Sequence, residues 1–458
     1  MSKRVNKSRL GKILCLLLAL CCLIPLGACT SGDGGKTAST ADTDPRYRDL
    51  GGKTVKIFLY GYSRKDFSER LEKRYQELEK NFNCTIEVIS GPSQMTHDAI
   101  WRSIVAGDPA VDIIDGTAPH LLGNPLQTGC YVDLNTFDVF NLEDEKWNRE
   151  ANATLNFYGK QYGVSARMDG PEALLNNQVM YFNKRLVKNA GYDPEDIYKW
   201  QEEGTWTWEK FEEIAEKIAK LSTSTNQIWG SLDNDHLLYD NLVISNGTDW
   251  SARTESGMAF TGGSEAAVEA LTFYKKLYDK KIIPAVGYDK PKVEQFYKGS
   301  VGFVPDYLQR LGNEATFGAM ADDFGVVMFP KGPRASDYRS FDNWYGWWSL
   351  PTGGKNNKEM ALLIDCLTDT LYPDQEELEQ LVTVFRESLV RDSESLRVFE
   401  LIPSRSVLST ALMAEPIRTE WYNQIYSITQ GEQTIAETLE MVESGFASSF
   451  ETFWKIKQ

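Results

Sequence analysis

The chain has 458 residues, 42% hydrophobic and 12% aromatic, with 49 basic against 65 acidic residues and a formal net charge of −16. That balance argues against a nucleic-acid partner, which needs a cationic face, and against attachment to anionic lipid through the protein surface. Three His at distant positions, and three Cys with no CxxC pair after residue 29, leave little material for a metal cluster or a histidine triad, and no cofactor is expected.

Met1 to Lys12 carries five cations and no acid, and Ile13 to Leu26 is an uninterrupted run of apolar residues and Cys with one Pro. This is a charged region followed by an apolar one of secretory length, too short to span a bilayer as a stable helix. It ends in Leu26-Gly27-Ala28-Cys29, which resembles a bacterial lipobox. The resemblance implies cleavage after Ala28 and acylation of Cys29. Cys15, Cys21 and Cys22 show that the segment tolerates Cys, so an ordinary secretory signal is the competing reading. Residues 1–28 are thus expected as a lipoprotein signal peptide, and 29–52 as the lipidated Cys and a flexible tether. Thr30 to Asp44 is small and polar, without apolar periodicity. The expected location is the outer face of a bacterial cell membrane, with contact to the membrane through the lipid only.

Beyond the tether, Thr54 to Tyr60 reads as a strand. Arg64 to Asn83 reads as a helix on the spacing of Phe67, Leu71, Tyr75, Leu78 and Phe82. Thr85 to Ile89 is a second strand, Met95 to Val105 a second helix closed by Ala106-Gly107-Asp108-Pro109, and Val111 to Ile114 a third strand. This order implies a parallel sheet covered by helices, with ligands at the carboxyl ends of the strands. No GxGxxG or Walker spacing follows any strand, which argues against a nucleotide enzyme.

Further on come Gly129-Cys130-Tyr131-Val132-Asp133-Leu134, Gly159-Lys160-Gln161-Tyr162-Gly163-Val164-Ser165 and the apolar run from Val179 ending Phe182-Asn183-Lys184-Arg185-Leu186. They are followed by Gly191-Tyr192-Asp193-Pro194, Thr205-Trp206-Thr207-Trp208-Glu209 and Phe296-Tyr297-Lys298-Gly299-Ser300-Val301-Gly302-Phe303. Thr207 is placed to cap a helix to about Lys220, and Ser264 to Asp279 is another helix. In this order the segments resemble the family 1 extracellular solute-binding proteins, the maltose-binding-like receptors of ABC importers, over about Thr54 to Pro333. Ser165 stands in place of the usual Pro, Lys210 of an acid and Ser300 of a Lys, which leaves the ligand open.

The resemblance implies an α/β, two-lobed periplasmic-binding-protein-like fold with a ligand cleft between lobes and multiple hinge crossovers. Lobe one is expected at 53–166 plus 294–345 and lobe two at 167–293 plus 346–458. It also implies a monomer that binds a small solute, a sugar or oligosaccharide, and hands it to ABC permease subunits, without enzymatic turnover. Two alternatives stand beside it: an exported carbohydrate-active enzyme, for which no isolated pair of facing carboxylates is evident, and a receptor for a peptide, polyamine or polyol phosphate.

Candidate ligand contacts follow from strand ends and ring clusters. Tyr60 and Tyr62 flank the loop after the first strand, and Asp115 ends the third; a carboxylate accepts sugar hydroxyls well. Asp306 and Tyr307 follow a strand at Val301–Val304, and Arg167 and Asp169 lie at a lobe junction. Trp344, Tyr345 and Trp347 sit in the densest aromatic cluster, where a ring offers a platform for the apolar face of a sugar. Asn234-Asp235 suits either hydroxyl binding or an ordinary turn.

Overall fold

Two four-stranded sheets, each under its own helices, organise the chain. The computed structural model describes residues 44–453 apart from 61–62, 92–93, 117–122, 255–256, 286–292, 343–344 and 409–414. The signal segment, Cys29, most of the tether, Tyr62 and Trp344 therefore lie outside the described residues.

The first sheet starts with β1 (Lys53–Leu59), followed by α1 (Glu69–Asn81), β2 (Cys84–Ser90), α2 (Gln94–Val105) and β3 (Ile113–Asp115). The helix expected from Arg64 begins later because Ser68 caps it, its side chain accepting from the Leu71 N–H. Residues 64–66 form a short 3₁₀ turn ahead of the cap. Both β2 and β3 run parallel to β1, with Ile57 opposite Val88 on one side and Ile113 on the other. Parallel strands need covering on both faces, and Ile57, Phe58, Ile113 and Ile114 are fully buried.

The second sheet contains β4 (Gln178–Asn183), β5 (Trp229–Ser231), β6 (Val301–Tyr307) and β7 (Phe324–Val327), in the order β7-β4-β6-β5. Its core gathers Phe182, Phe303, Trp206 and Phe211, all at 0% exposure. Each such side chain contributes roughly 1.5–3 kcal/mol by leaving water. Helix α3 (Trp208–Ala219) packs its Phe211–Ile214–Ala215–Ile218 face here. Thr207 takes the N-cap position without a side-chain cap bond, and its backbone instead bridges to Lys331. Helices α4 (Leu237–Ser245) and α5 (Glu265–Asp279) join the same core.

The lobe boundaries differ from those expected. Strand β6, counted with the first lobe as part of 294–345, pairs antiparallel with β4 and parallel with β5 in the second sheet. Its six successive buried residues need cover on both faces, which a central strand of that sheet provides. The chain then runs through β8 (Ser340–Asp342) to β9 (Trp348–Ser349), which lies antiparallel on β3 and closes the first sheet. Helix α6 (Asn357–Leu367) also buries Met360, Leu363 and Ile364 in the first-sheet core, although 346–458 was expected in the second lobe. Strand β10 (Ser406–Leu408) pairs with β8, and α7 (Glu415–Gln430) returns Trp421, Tyr422, Ile425 and Ile428 to the second core. Cys84, Cys130 and Cys366 are free thiols.

Candidate functional site

At the carboxyl end of β1 the chain turns at Tyr60, half-buried, whose backbone N–H donates to Asp115 Oδ2 at 3.3 Å. Asp115 ends β3 at 8% exposure. The Tyr60 ring rests 5.3 Å from the His97 ring, and His97 Nε2 lies 2.8 Å from the Gly91 carbonyl. Burial raises the Tyr60 phenol and lowers the His97 imidazole, so neither group carries charge at neutral pH. His97 props the tyrosine; Tyr60 and Asp115 form the strand-end pair on the first sheet.

At the carboxyl end of β5 the chain makes a turn through Asp233-Asn234-Asp235-His236 before α4 begins. Asp235 (φ 50°) and His236 (φ 69°) are successive non-glycine residues in the left-handed region, a conformation that costs of order 1–3 kcal/mol per residue and needs its surroundings to impose it. Three anchors do so. Asp233 accepts from the Tyr274 hydroxyl at 2.6 Å and from the Leu238 N–H at 3.0 Å. Asn234 Nδ2 donates to Asp306 Oδ2 at 3.1 Å. The His236 ring stacks on Tyr422 with centroids 3.6 Å apart and the planes 9° from parallel, and the Tyr426 hydroxyl lies 2.8 Å from His236 Nε2. The turn leaves the Asp235 carboxylate exposed, without a hydrogen bond or ion pair among the described residues.

Asp306 and Tyr307 belong to β6 itself, which runs three residues past Val304. Asp306 is fully buried and accepts from Arg310 Nε at 3.1 Å, the Tyr307 N–H at 2.8 Å and Asn234. Burial raises its pKa and the Arg310 guanidinium pulls it back. It supports the turn instead of facing solvent. Tyr307 is half-buried and its carbonyl accepts from the Tyr181 hydroxyl at 2.8 Å.

The aromatic cluster sits deeper than expected. Trp347 is at 0% exposure, so tight against the Cα atoms of Gly116 and Gly163 that a Cβ on either glycine would come within 2.0 or 2.4 Å of the indole. Tyr131 meets it edge-on at 5.5 Å. Tyr345 is 5% exposed and its hydroxyl bonds Thr154 Oγ1. Crossing into the first core, this segment spends its rings on packing. Arg167 and Asp169 line a different groove with Lys146, Asp369, Leu378 and Arg386, one that includes none of the strand-end residues. Asp169 accepts from the Leu371 and Tyr372 N–H groups at 2.7 and 3.3 Å and from the Thr370 hydroxyl, which ties two crossover segments together. The residues that sequence reasoning undervalued are Asp235 and His236. The pair Asn234-Asp235 signals a turn, but nothing in the residue types announces two left-handed positions in succession.

A family model described as bacterial extracellular solute-binding protein matches residues 62–370. The arabinooligosaccharide-binding protein of Bacillus subtilis (strain 168) is 22% identical over 225 residues, a match that spans 47% of this chain and about half of that relative, 47% of its length. A cyclic α-maltosyl-1,6-maltose binding protein from Arthrobacter globiformis superposes with a TM-score of 0.65 at 17% identity, over 88% of this chain and 100% of that one. An ABC substrate-binding protein from Listeria monocytogenes in complex with cycloalternan gives 0.62 at 16% identity over 87% and 99%. The GacH receptor of Streptomyces glaucescens, studied in complex with acarbose, gives 0.58 at 17% identity over 89% and 100%. At these identities the superpositions establish a shared two-lobed fold.

Proposed function

This chain belongs to the bacterial extracellular solute-binding proteins, and from that premise we propose that it binds a neutral sugar or oligosaccharide between its lobes, without turnover, and delivers it to an ABC permease. The observation that carries the carbohydrate reading is the Asp235 carboxylate, exposed and without a partner among the described residues, on a strained turn beside the His236–Tyr422 stack. A sugar hydroxyl left buried without a partner costs about 1–3 kcal/mol, so a sugar site needs acceptors that are not already occupied. Asp235 fits that requirement; Asp306, with three donors, does not. On the first sheet the half-buried Tyr60 ring at the end of β1 supplies an apolar surface. The relatives named for arabinooligosaccharide, cycloalternan and cyclic maltosyl-maltose point the same way.

A thermal-shift panel tests this reading. Arabino- and malto-oligosaccharides, a cyclic glucan, a dipeptide, spermidine and a sugar phosphate are each added to the protein. A binder of the folded state at about 100 times its Kd stabilises by roughly 2.7 kcal/mol. At least one neutral oligosaccharide is expected to raise the melting temperature and to be recovered uncleaved. A shift confined to spermidine or the phosphate ester would move the assignment to another solute class, and sustained cleavage would make the protein an enzyme.

The proposal includes an anchor at Cys29, supported by Leu26-Gly27-Ala28-Cys29 after the apolar run. Cys29→Ser is expected to release the protein from the membrane fraction of expressing bacteria. Unchanged membrane attachment would remove the lipid anchor from this reading.

A further inference from the structure

Asp233 is the buried first residue of the proposed ligand-facing turn, at 9% exposure. We infer that Asp233 is a positioning residue whose negative charge holds the Asn234–Asp235–His236 turn in its left-handed conformation, so that sugar affinity depends on Asp233 being ionised. The inference rests on the carbohydrate reading of that site.

The geometry is specific. One carboxylate oxygen takes the N–H of Leu238, the second residue of α4, and the other takes the Tyr274 hydroxyl from α5. Bonds to a charged acceptor are roughly twice as strong as neutral ones, and these two fix the point where the turn enters the helix. Around Asp233 stand Tyr274 of α5, Tyr239 of α4, Tyr426 of α7 and the Asp235 carboxylate of its own turn; it forms no ion pair among the described residues. Burial and the neighbouring Asp235 charge therefore raise its pKa to about 6, against the pull of its hydrogen bonds.

The sign of the linkage separates this role from a structural one. A buried acid with a raised pKa binds its proton more tightly folded than unfolded. Its contribution to stability is complete below the unfolded pKa and is lost as pH rises through about 6. At neutral pH the ionised Asp233 thus works against the fold, and a residue kept only for stability would be better as Asn. Asparagine fits the same bonds, its oxygen accepting from Leu238 and its amide donating to the Tyr274 oxygen, but it carries no charge. When Asp233 is protonated, one oxygen must donate and Tyr274 must turn to accept; the turn then loses its charged anchor and the Asp235 carboxylate its fixed place.

The test is a pH series of binding titrations with arabinotriose and with maltotriose, read by tryptophan fluorescence, on wild type, Asp233→Asn and Tyr274→Phe. With only the ionised form competent, a pKa near 6 predicts wild-type affinity falling roughly tenfold from pH 7.5 to pH 5. Asp233→Asn is expected to melt no lower than wild type at pH 7.5, yet bind weakly at both pH values with a flat profile. Tyr274→Phe removes a bond to the ionised form, so its midpoint should move to higher pH. A flat wild-type profile, or Asp233→Asn binding as tightly as wild type at pH 7.5, would overturn the inference and leave the carbohydrate reading intact. If neither sugar binds wild type at any pH, the carbohydrate reading fails and this inference with it.

Discussion

Trp347→Ala is expected to destabilise the protein by about 3–5 kcal/mol, the range for deleting a large aromatic ring from a core. The indole is at 0% exposure, closed in by the Gly116 and Gly163 backbones and the edge of Tyr131. None of these can move into the space without shifting the strand end at Asp115 or the crossover at Val164. The Trp347 Nε1–H is buried without a hydrogen-bond partner among the described residues, so Trp347→Phe removes no bond seen there and should be much milder. Urea unfolding followed by near-ultraviolet circular dichroism reads both changes. In the fraction that remains folded, oligosaccharide affinity should change little. A stable Trp347→Ala protein that has lost its sugar would return the ring to the role of stacking platform.

Asp235→Ala should act in the opposite sense. The side chain is exposed and has no partner among the described residues, so its removal breaks no bond, and the local cost is that of holding alanine at a φ of 50°, which aspartate tolerates better. The sugar hydroxyls it is proposed to accept would lose their partner, a loss of about 1–3 kcal/mol, or roughly five- to 150-fold in Kd. Asp235→Asn keeps an acceptor oxygen and the tolerance of asparagine for positive φ, and should fall between alanine and wild type. Calorimetric titration with the oligosaccharide that most raises the melting temperature measures all three. An affinity unchanged in Asp235→Ala would remove this turn from the site.

Much of the first sheet was legible in the sequence because local signals suffice there. Tyr75 and Leu78 recur at helical spacing, Ala106-Gly107-Asp108-Pro109 stops a helix, and alternating strands and helices imply parallel pairing. The lobe assignment of Val301–Tyr307 was not legible. Its partners Gln178–Asn183 and Trp229–Ser231 lie more than seventy residues back, and an apolar run reads the same in either sheet. The same blindness hid the burial of Asp306, which looked like a strand-end ligand because the strand was expected to stop at Val304. The aromatic cluster misled for a physical reason: the width of a ring suits a sugar and a gap between two glycines equally well. The turn at Asp235–His236 escaped because its conformation is imposed through Tyr274, Asp306 and Tyr422, which come from distant parts of the chain.

The last strand of the first sheet has a further consequence. Trp348–Ser349 completes the sheet only after the whole second sheet has been made, and Met360–Ile364 arrive later still. During synthesis or export the first lobe is therefore an unfinished three-stranded layer with β3 exposed along one edge, a state open to mispairing for the time it takes to make more than two hundred residues. Pairs this distant in sequence close slowly. The four strands of the second sheet all lie within 178–327 and can pair before then, although α7 reaches their core only from Glu415 onward. The edge of β3 is thus the last part of the first sheet to be covered, and its closure waits on chain made more than two hundred residues later.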